Sequence, residues 1–133
     1  QAQGSAALTS DLTNAAAAYV KADKLLAKQK GAAIKKQRLD VLTSLAGVYS
    51  QIPDSQAAAK VYGDITTLTP KSAEAFFNLG AAASTAGDTT TAMLAFTRFL
   101  ELDPTSPDAA AVKDWIAKNT PQTTPTPTPS PTK

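Results

Sequence analysis

Four carboxylates stand close together in the second half of the chain: Asp88, Glu101, Asp103 and Asp108. Grouped carboxylates can share a proton for acid–base work or hold a hard cation through oxygen. Three of the four, Asp88, Asp103 and Asp108, fall at the ends of apolar helical runs. There a carboxylate satisfies the unpaired N–H groups of a first turn, so they are read as caps. The 133 residues include no histidine and no cysteine. That excludes imidazole catalysis, thiolate chemistry, disulfides and zinc sites of the usual ligands. Serine and lysine occur without the signature of an activated nucleophile, and there is no glycine-rich phosphate loop. The expectation is a non-enzyme with no catalytic residue, cofactor or metal.

The remaining chemistry is charge. Lys21, Lys24, Lys28, Lys30, Lys35, Lys36 and Arg38 form a basic run in which Asp23 is the only acid. Such a run could meet phosphates, anionic wall polymers or a membrane surface. It lacks the interleaved aromatics on which single-stranded nucleic acid stacks, so no nucleic-acid partner is expected. At their spacing Lys21, Lys24, Lys28 and Lys35 read as the solvated face of two helices. The net charge of +2 singles out no partner.

The elements that carry these groups follow from an internal repeat. Displaced by 34 residues, the chain matches itself: Leu42 with Phe76, Leu45 with Leu79, Ala46 with Gly80, Ala58 with Ala92. The match continues through Tyr62 with Phe96, Ile65 with Phe99, Leu68 with Leu102 and Pro70 with Pro104. A fixed period of this length marks a stack of helix pairs. In the second unit one helix is expected from about Ser72 to Ala86 and another from Asp88 to about Leu102. Ser72 is a candidate N-cap, and Gly87-Asp88 supplies a stop and a new cap. A glycine inside a helix costs about 1 kcal/mol against alanine. Gly80 therefore implies a close approach, read as the crossing of two antiparallel helices at Gly80 and Ala92.

These residues resemble the tetratricopeptide repeat family, a 34-residue helix–turn–helix. With Ala73 as first position, Phe76 stands at the family's tryptophan and Leu79-Gly80 at its leucine–glycine pair. Ala92, Phe96 and Pro104 stand at its later alanine, aromatic and proline. The preceding unit carries Leu42, Leu45-Ala46, Tyr49, Ala58, Tyr62 and Pro70, and departs at Pro53, which replaces the glycine of the turn but still breaks the helix before Asp54. The resemblance implies an all-α, short right-handed solenoid of about six helices, with repeats at about 39–72 and 73–106. It also implies protein binding on the concave surface, where Asp40, Thr43, Gly47, Glu74, Phe77, Asn78 and Ala81 are the candidate groove residues, with Trp115 beside them. Apart from Asn78, the lysines and asparagines that grip a peptide carboxylate in some relatives are missing here.

The flanks complete the reading. Leu8, Leu12, Ala15, Tyr19, Ala22 and Leu26 form an apolar helical stripe, broken at Lys30-Gly31 from a second helix at about Ala32 to Gln51. A capping helix is expected over about 106–118, with Ser106 as its cap, Pro107 at its first position and Val112, Trp115 and Ile116 over the last repeat. Residues 1–119 thus form one helical domain and 120–133 a tail, in which five prolines alternate with threonine and serine. Proline forbids helix there, and the composition matches O-glycosylated stalks. Thr123, Thr124, Thr126, Thr128, Ser130 and Thr132 are the candidate glycosylation sites. No apolar run approaches the roughly 18 residues that span a bilayer. A chain beginning at Gln1 reads as a mature terminus left by signal-peptide cleavage. The expectation is an extracytoplasmic protein, secreted or on a bacterial cell surface. It would contact other proteins and self-assemble into a filament-like structure, or else serve as a monomeric surface-tethered adaptor.

Overall fold

The structure is a computed structural model that describes residues 2–121. Those residues are all-helical: α1 (Ala2–Leu26), α2 (Ala32–Gln51), α3 (Ser55–Leu68), α4 (Ala73–Thr85), α5 (Thr89–Leu102) and α6 (Ala109–Asn119). Among the described residues no helix is long and apolar enough to cross a membrane. Each helix packs against its neighbours in sequence and against no other. Short connections between packed helices make the chain reverse at each turn, so α2, α4 and α6 end on the same side of the array.

The helix boundaries are set by local hydrogen bonds. Asp54 accepts from the Ala57 N–H and Asp88 from the Thr91 N–H, each at 3.0 Å, capping α3 and α5. The Ser72 hydroxyl accepts from the Ala75 N–H at 3.2 Å and caps α4. At the end of α4, Gly87 takes φ 82°, a left-handed conformation that glycine adopts at little cost. This brings the Asp88 N–H to the Ala83 carbonyl at 2.9 Å and the Gly87 N–H to that of Ser84 at 3.1 Å. Two crossed bonds of this kind close a helix end and satisfy its last carbonyls. The corresponding α2–α3 turn has Pro53 and is built differently: Ile52 is extended, and the Asp54 N–H bonds the Ile52 carbonyl at 2.6 Å.

The 34-residue offset recurs in three dimensions. It relates both ends of α3 to both ends of α5. It relates the Asp54 and Asp88 caps and the helix-closing bonds Thr69 N–H to Ile65 and Asp103 N–H to Phe99, both 2.8 Å. It also relates buried Leu45 to Leu79, Ala58 to Ala92 and Ile65 to Phe99.

The core is divided in two. One part gathers Ala16 of α1 with Leu42, Leu45, Val48, Val61, Ile65 and Ala75. The other gathers Ala83, Ala92, Phe96, Phe99 and Val112, with Phe77, Trp115 and Ile116 packed on its rim. Gly80 faces the second part. A methyl carbon placed there would lie 2.5 Å from Cδ1 and Cε1 of Phe96 and 2.9 Å from its Cγ. The group that needs the missing side chain is thus the Phe96 ring rather than Ala92, which is fully buried in the same cluster as Ala83.

Three boundary expectations change. The stripe on α1 holds at Leu12, Ala15 and Tyr19, which pack on the core with buried Ala16 and with Val20, but not at Leu8, which is 60% exposed. The capping helix begins at Ala109, later than expected, because Ser106 starts a separate turn. Its hydroxyl accepts from the Asp108 N–H at 3.3 Å, and its carbonyl accepts from the Ala109 N–H at 3.0 Å. Asp108 makes no side-chain cap, so capping accounts for Asp88 but not for Asp108. Asp103 closes α5, and its carboxylate accepts from the Thr105 hydroxyl at 3.3 Å. The six candidate glycosylation residues, Thr123, Thr124, Thr126, Thr128, Ser130 and Thr132, lie outside the described residues.

Candidate functional site

Two adjoining hollows run across the faces of α2, α3 and α4. The larger lies between α2 and α4 over α3 and encloses about 490 Å³, with Thr43, Gly47, Tyr62, Ile65, Glu74 and Asn78 among its walls. The smaller, about 270 Å³, opens at the α2–α3 turn beside Tyr49, Pro53, Asn78 and Ala81. Tyr62 and Asn78 border both and form the saddle between them.

Their construction follows from helical register. Thr43 and Gly47 lie four apart on α2, and Glu74 and Asn78 four apart on α4, so each pair falls on one face of its helix. Tyr62 and Ile65 rise from α3 between them, with Ile65 buried and Tyr62 half-buried. Gly47 has open space where a side chain would stand, which widens the larger hollow. Thr43 spends its hydroxyl on the Leu39 carbonyl at 2.8 Å and so offers mainly its methyl group. Glu74 is exposed and is the hollow's one charge among the residues named.

Of the eight groove residues expected from sequence, Thr43, Gly47, Glu74 and Asn78 come together in the larger hollow, and Asn78 and Ala81 in the smaller. The other three stand elsewhere. Asp40 is exposed on α2 and lines neither. Phe77 turns to the second core, with ring centroids 5.3 Å from Phe99 and 6.1 Å from Phe96. Trp115 meets Phe96 edge-on at 5.0 Å. Tyr62, Ile65 and Tyr49 went unassigned because they were counted as packing residues of the repeat. Tyr62 stands at the position where the next unit has the buried Phe96, and its hydroxyl, which Phe96 lacks, was the available signal.

The charged groups are largely accounted for by structure. Arg38 of α2 donates to both carboxylate oxygens of Asp23 on α1, Nε to Oδ1 at 2.7 Å and Nη2 to Oδ2 at 3.2 Å. This fork, with side chains 23% and 15% exposed, removes Arg38 from the basic run. The hydrogen bond to Asp23, with the further pull of Asp64, raises the guanidinium pKa above its ordinary value against the opposing effect of burial. Lys21, Lys24, Lys28, Lys30, Lys35 and Lys36 are all exposed. Glu101 pairs with Arg98 at 2.8 Å on the surface of α5, and Asp114 with Lys118 at 2.8 Å on that of α6. The Asp88 carboxyl is held below the ordinary value by the Thr91 hydroxyl, at 2.6 Å, and by the Thr91 N–H. Among the described residues no cluster of acidic side chains is disposed to hold a metal ion.

No protein-family model and no curated protein matches the chain. The geometry alone carries the functional reading.

Proposed function

We propose that this chain is a non-enzymatic interaction protein, a right-handed tetratricopeptide-like solenoid whose work is contact with other protein chains. We read it as a secreted or surface subunit, bacterial in origin, that self-associates into a structural, filament-like assembly with an O-glycosylated tail. The observation that carries the reading is the packing of every helix on its sequence neighbours alone, with the 34-residue offset kept through caps and core. In an array of this kind the outer faces of the terminal helices are surfaces on which another unit could stack. The first turns of α1 support this, since residues 4–11 are exposed throughout.

A second reading is favoured by one observation, the gathering of Thr43, Gly47, Glu74 and Asn78 in the larger hollow. In that reading the chain is a monomeric surface-tethered adaptor that takes a segment of a different protein between α2 and α4. Sedimentation of the whole chain over a hundredfold range of concentration separates the two. Growth of the sedimenting species with concentration fits the structural subunit; a monomer throughout refutes it and leaves the adaptor. Mass spectrometry of peptides covering Thr123 to Ser130 from native material tests the glycan. Unmodified mass there would remove the sugar from the proposal.

A further inference from the structure

The smaller hollow, at the α2–α3 turn, has no part in either reading above. Tyr49 and Tyr62, both half-buried, line it together with Pro53 and Thr85. Neither tyrosine hydroxyl nor the Asn78 amide has a hydrogen-bond partner among the described residues. An open trough walled by aromatic rings, with unspent donors on its edge, is the chemistry that recognises a polyproline strand. The prolines pack on the rings, and the strand's carbonyls, which find no N–H partner within it, accept from the donors.

The chain itself carries such a strand. Beyond the last described residue, prolines 125, 127, 129 and 131 are each separated by one threonine or serine. A polyproline strand of residues 122–133 would reach roughly 37 Å at about 3.1 Å per residue. The chain already leaves α6 extended, with Thr120 at φ −72° and ψ 126° held there by the following Pro121. It leaves on the side of the array where α2 and α4 also end, which is the side on which the hollow opens. To enter its own hollow the strand would have to double back across the α4–α5 turn within a proline repeat that stays stiff over several residues. To enter the hollow of another copy it need only continue.

We propose that residues 122–133 of one copy dock as a polyproline strand between Tyr49 and Tyr62 of a second copy. The proposal rests on the self-association reading and supplies its contact. The strand donates at one end of the molecule to a different patch on the next, a head-to-tail arrangement that does not close on two copies. Its only charged side chain is Lys133, so the association is expected to respond little to salt.

The absence of cysteine allows one to be placed alone. Full-length chain carrying Lys133→Cys with a nitroxide is mixed with unlabelled, ¹⁵N-enriched full-length chain. The expected result is broadening of Tyr49, Tyr62 and Asn78 signals in the enriched copies, almost unchanged between low and high salt. Asn78→Ala and Tyr49→Phe, each with circular dichroism unchanged, should remove donors only; Tyr49→Ala should weaken association about tenfold, as loss of one anchoring ring does. In a second sample the nitroxide and the isotope are carried on the same chain and diluted with unlabelled, unenriched chain. Broadening there, with none in the mixed sample, would mean the strand folds onto its own chain, and would overturn the proposal. Broadening at Thr43 and Glu74 instead would place the strand in the larger hollow and overturn it equally. Association by sedimentation with no broadening at either hollow would sink this contact while leaving self-association standing. A chain monomeric at every concentration would remove both.

Discussion

Replacing Gly80 by alanine should destabilise the protein, although alanine is the better helix former by about 1 kcal/mol. The reason is the Phe96 ring, three of whose carbons lie within 2.9 Å of the position the new methyl would take. Real side chains do not approach so closely, so the ring must move. It is 6% exposed and bounded by Trp115 at 5.0 Å and Phe77 at 6.1 Å, which leaves it little room. Overpacking of this kind costs about 1–3 kcal/mol. Set against the gain in propensity, Gly80→Ala should lose up to about 2 kcal/mol and Gly80→Leu more. Phe96→Leu removes the far ring atoms and opens the space, and in that background Gly80→Ala should become neutral or stabilising by up to about 1 kcal/mol. The coupling between the two changes should be about 1–3 kcal/mol, the overpacking that the smaller side chain relieves, within the range found for touching residues. Urea unfolding followed by far-ultraviolet circular dichroism measures all four proteins. Trp115, the only tryptophan, reports the Phe96 contact by fluorescence. If Gly80→Ala raised the midpoint equally in both backgrounds, the reasoning about this crossing would be refuted.

Three further outcomes are expected. Asp88 has a depressed folded pKa, so its contribution to stability is present above the unfolded value and is lost as pH falls through the folded one. Asp88→Asn keeps the cap, and acid titration of the unfolding midpoint should show its difference from the parent shrinking below about pH 4; a difference constant with pH would exclude the carboxylate as its source. Arg38→Met leaves the Asp23 carboxylate partly buried and unpaired, and should cost about 1–2 kcal/mol, between the values for exposed and buried pairs. Limited proteolysis near Lys28 and Lys30 should then accelerate as α1 loosens from α2, and unchanged cleavage would show that the pair does not hold it. Leu8→Ser should leave the thermal midpoint within about 0.5 kcal/mol of the parent in stability, since Leu8 touches no core. A large loss would place the first turns of α1 against the rest of the chain.

Much of the local structure was legible in the residues. The bounds of α2 follow from Gly31, at φ 128°, and from Pro53; those of α3 and α5 follow from Asp54 and Asp88 thirty-four residues apart. Each of these signals is spent within about four residues, on backbone groups that any helix end must satisfy. The exception proves instructive at Ser106-Pro107-Asp108, where serine capped a turn instead of the helix, a choice between two equally local hydrogen bonds.

The candidate site was legible only in part, because it depends on which helix lies across from which. The family resemblance put Thr43, Gly47, Glu74 and Asn78 among the groove residues, and these four line one hollow over α3. The same resemblance put Phe77 with them, and tertiary packing took it instead to Phe96 and Phe99, where a large ring gains more by burial than at an open rim. Leu8 continues the apolar stripe of α1, yet it is left 60% exposed. The sequence by itself determined the repeat, the caps and the helix ends, since these are bonds between near neighbours. Only the tertiary structure decided that Gly80 yields to Phe96, that Arg38 is paired to Asp23, and that Tyr49, Tyr62 and Asn78 share a hollow. Those outcomes depend on the offset and crossing of whole helices, which no single stretch of the chain contains.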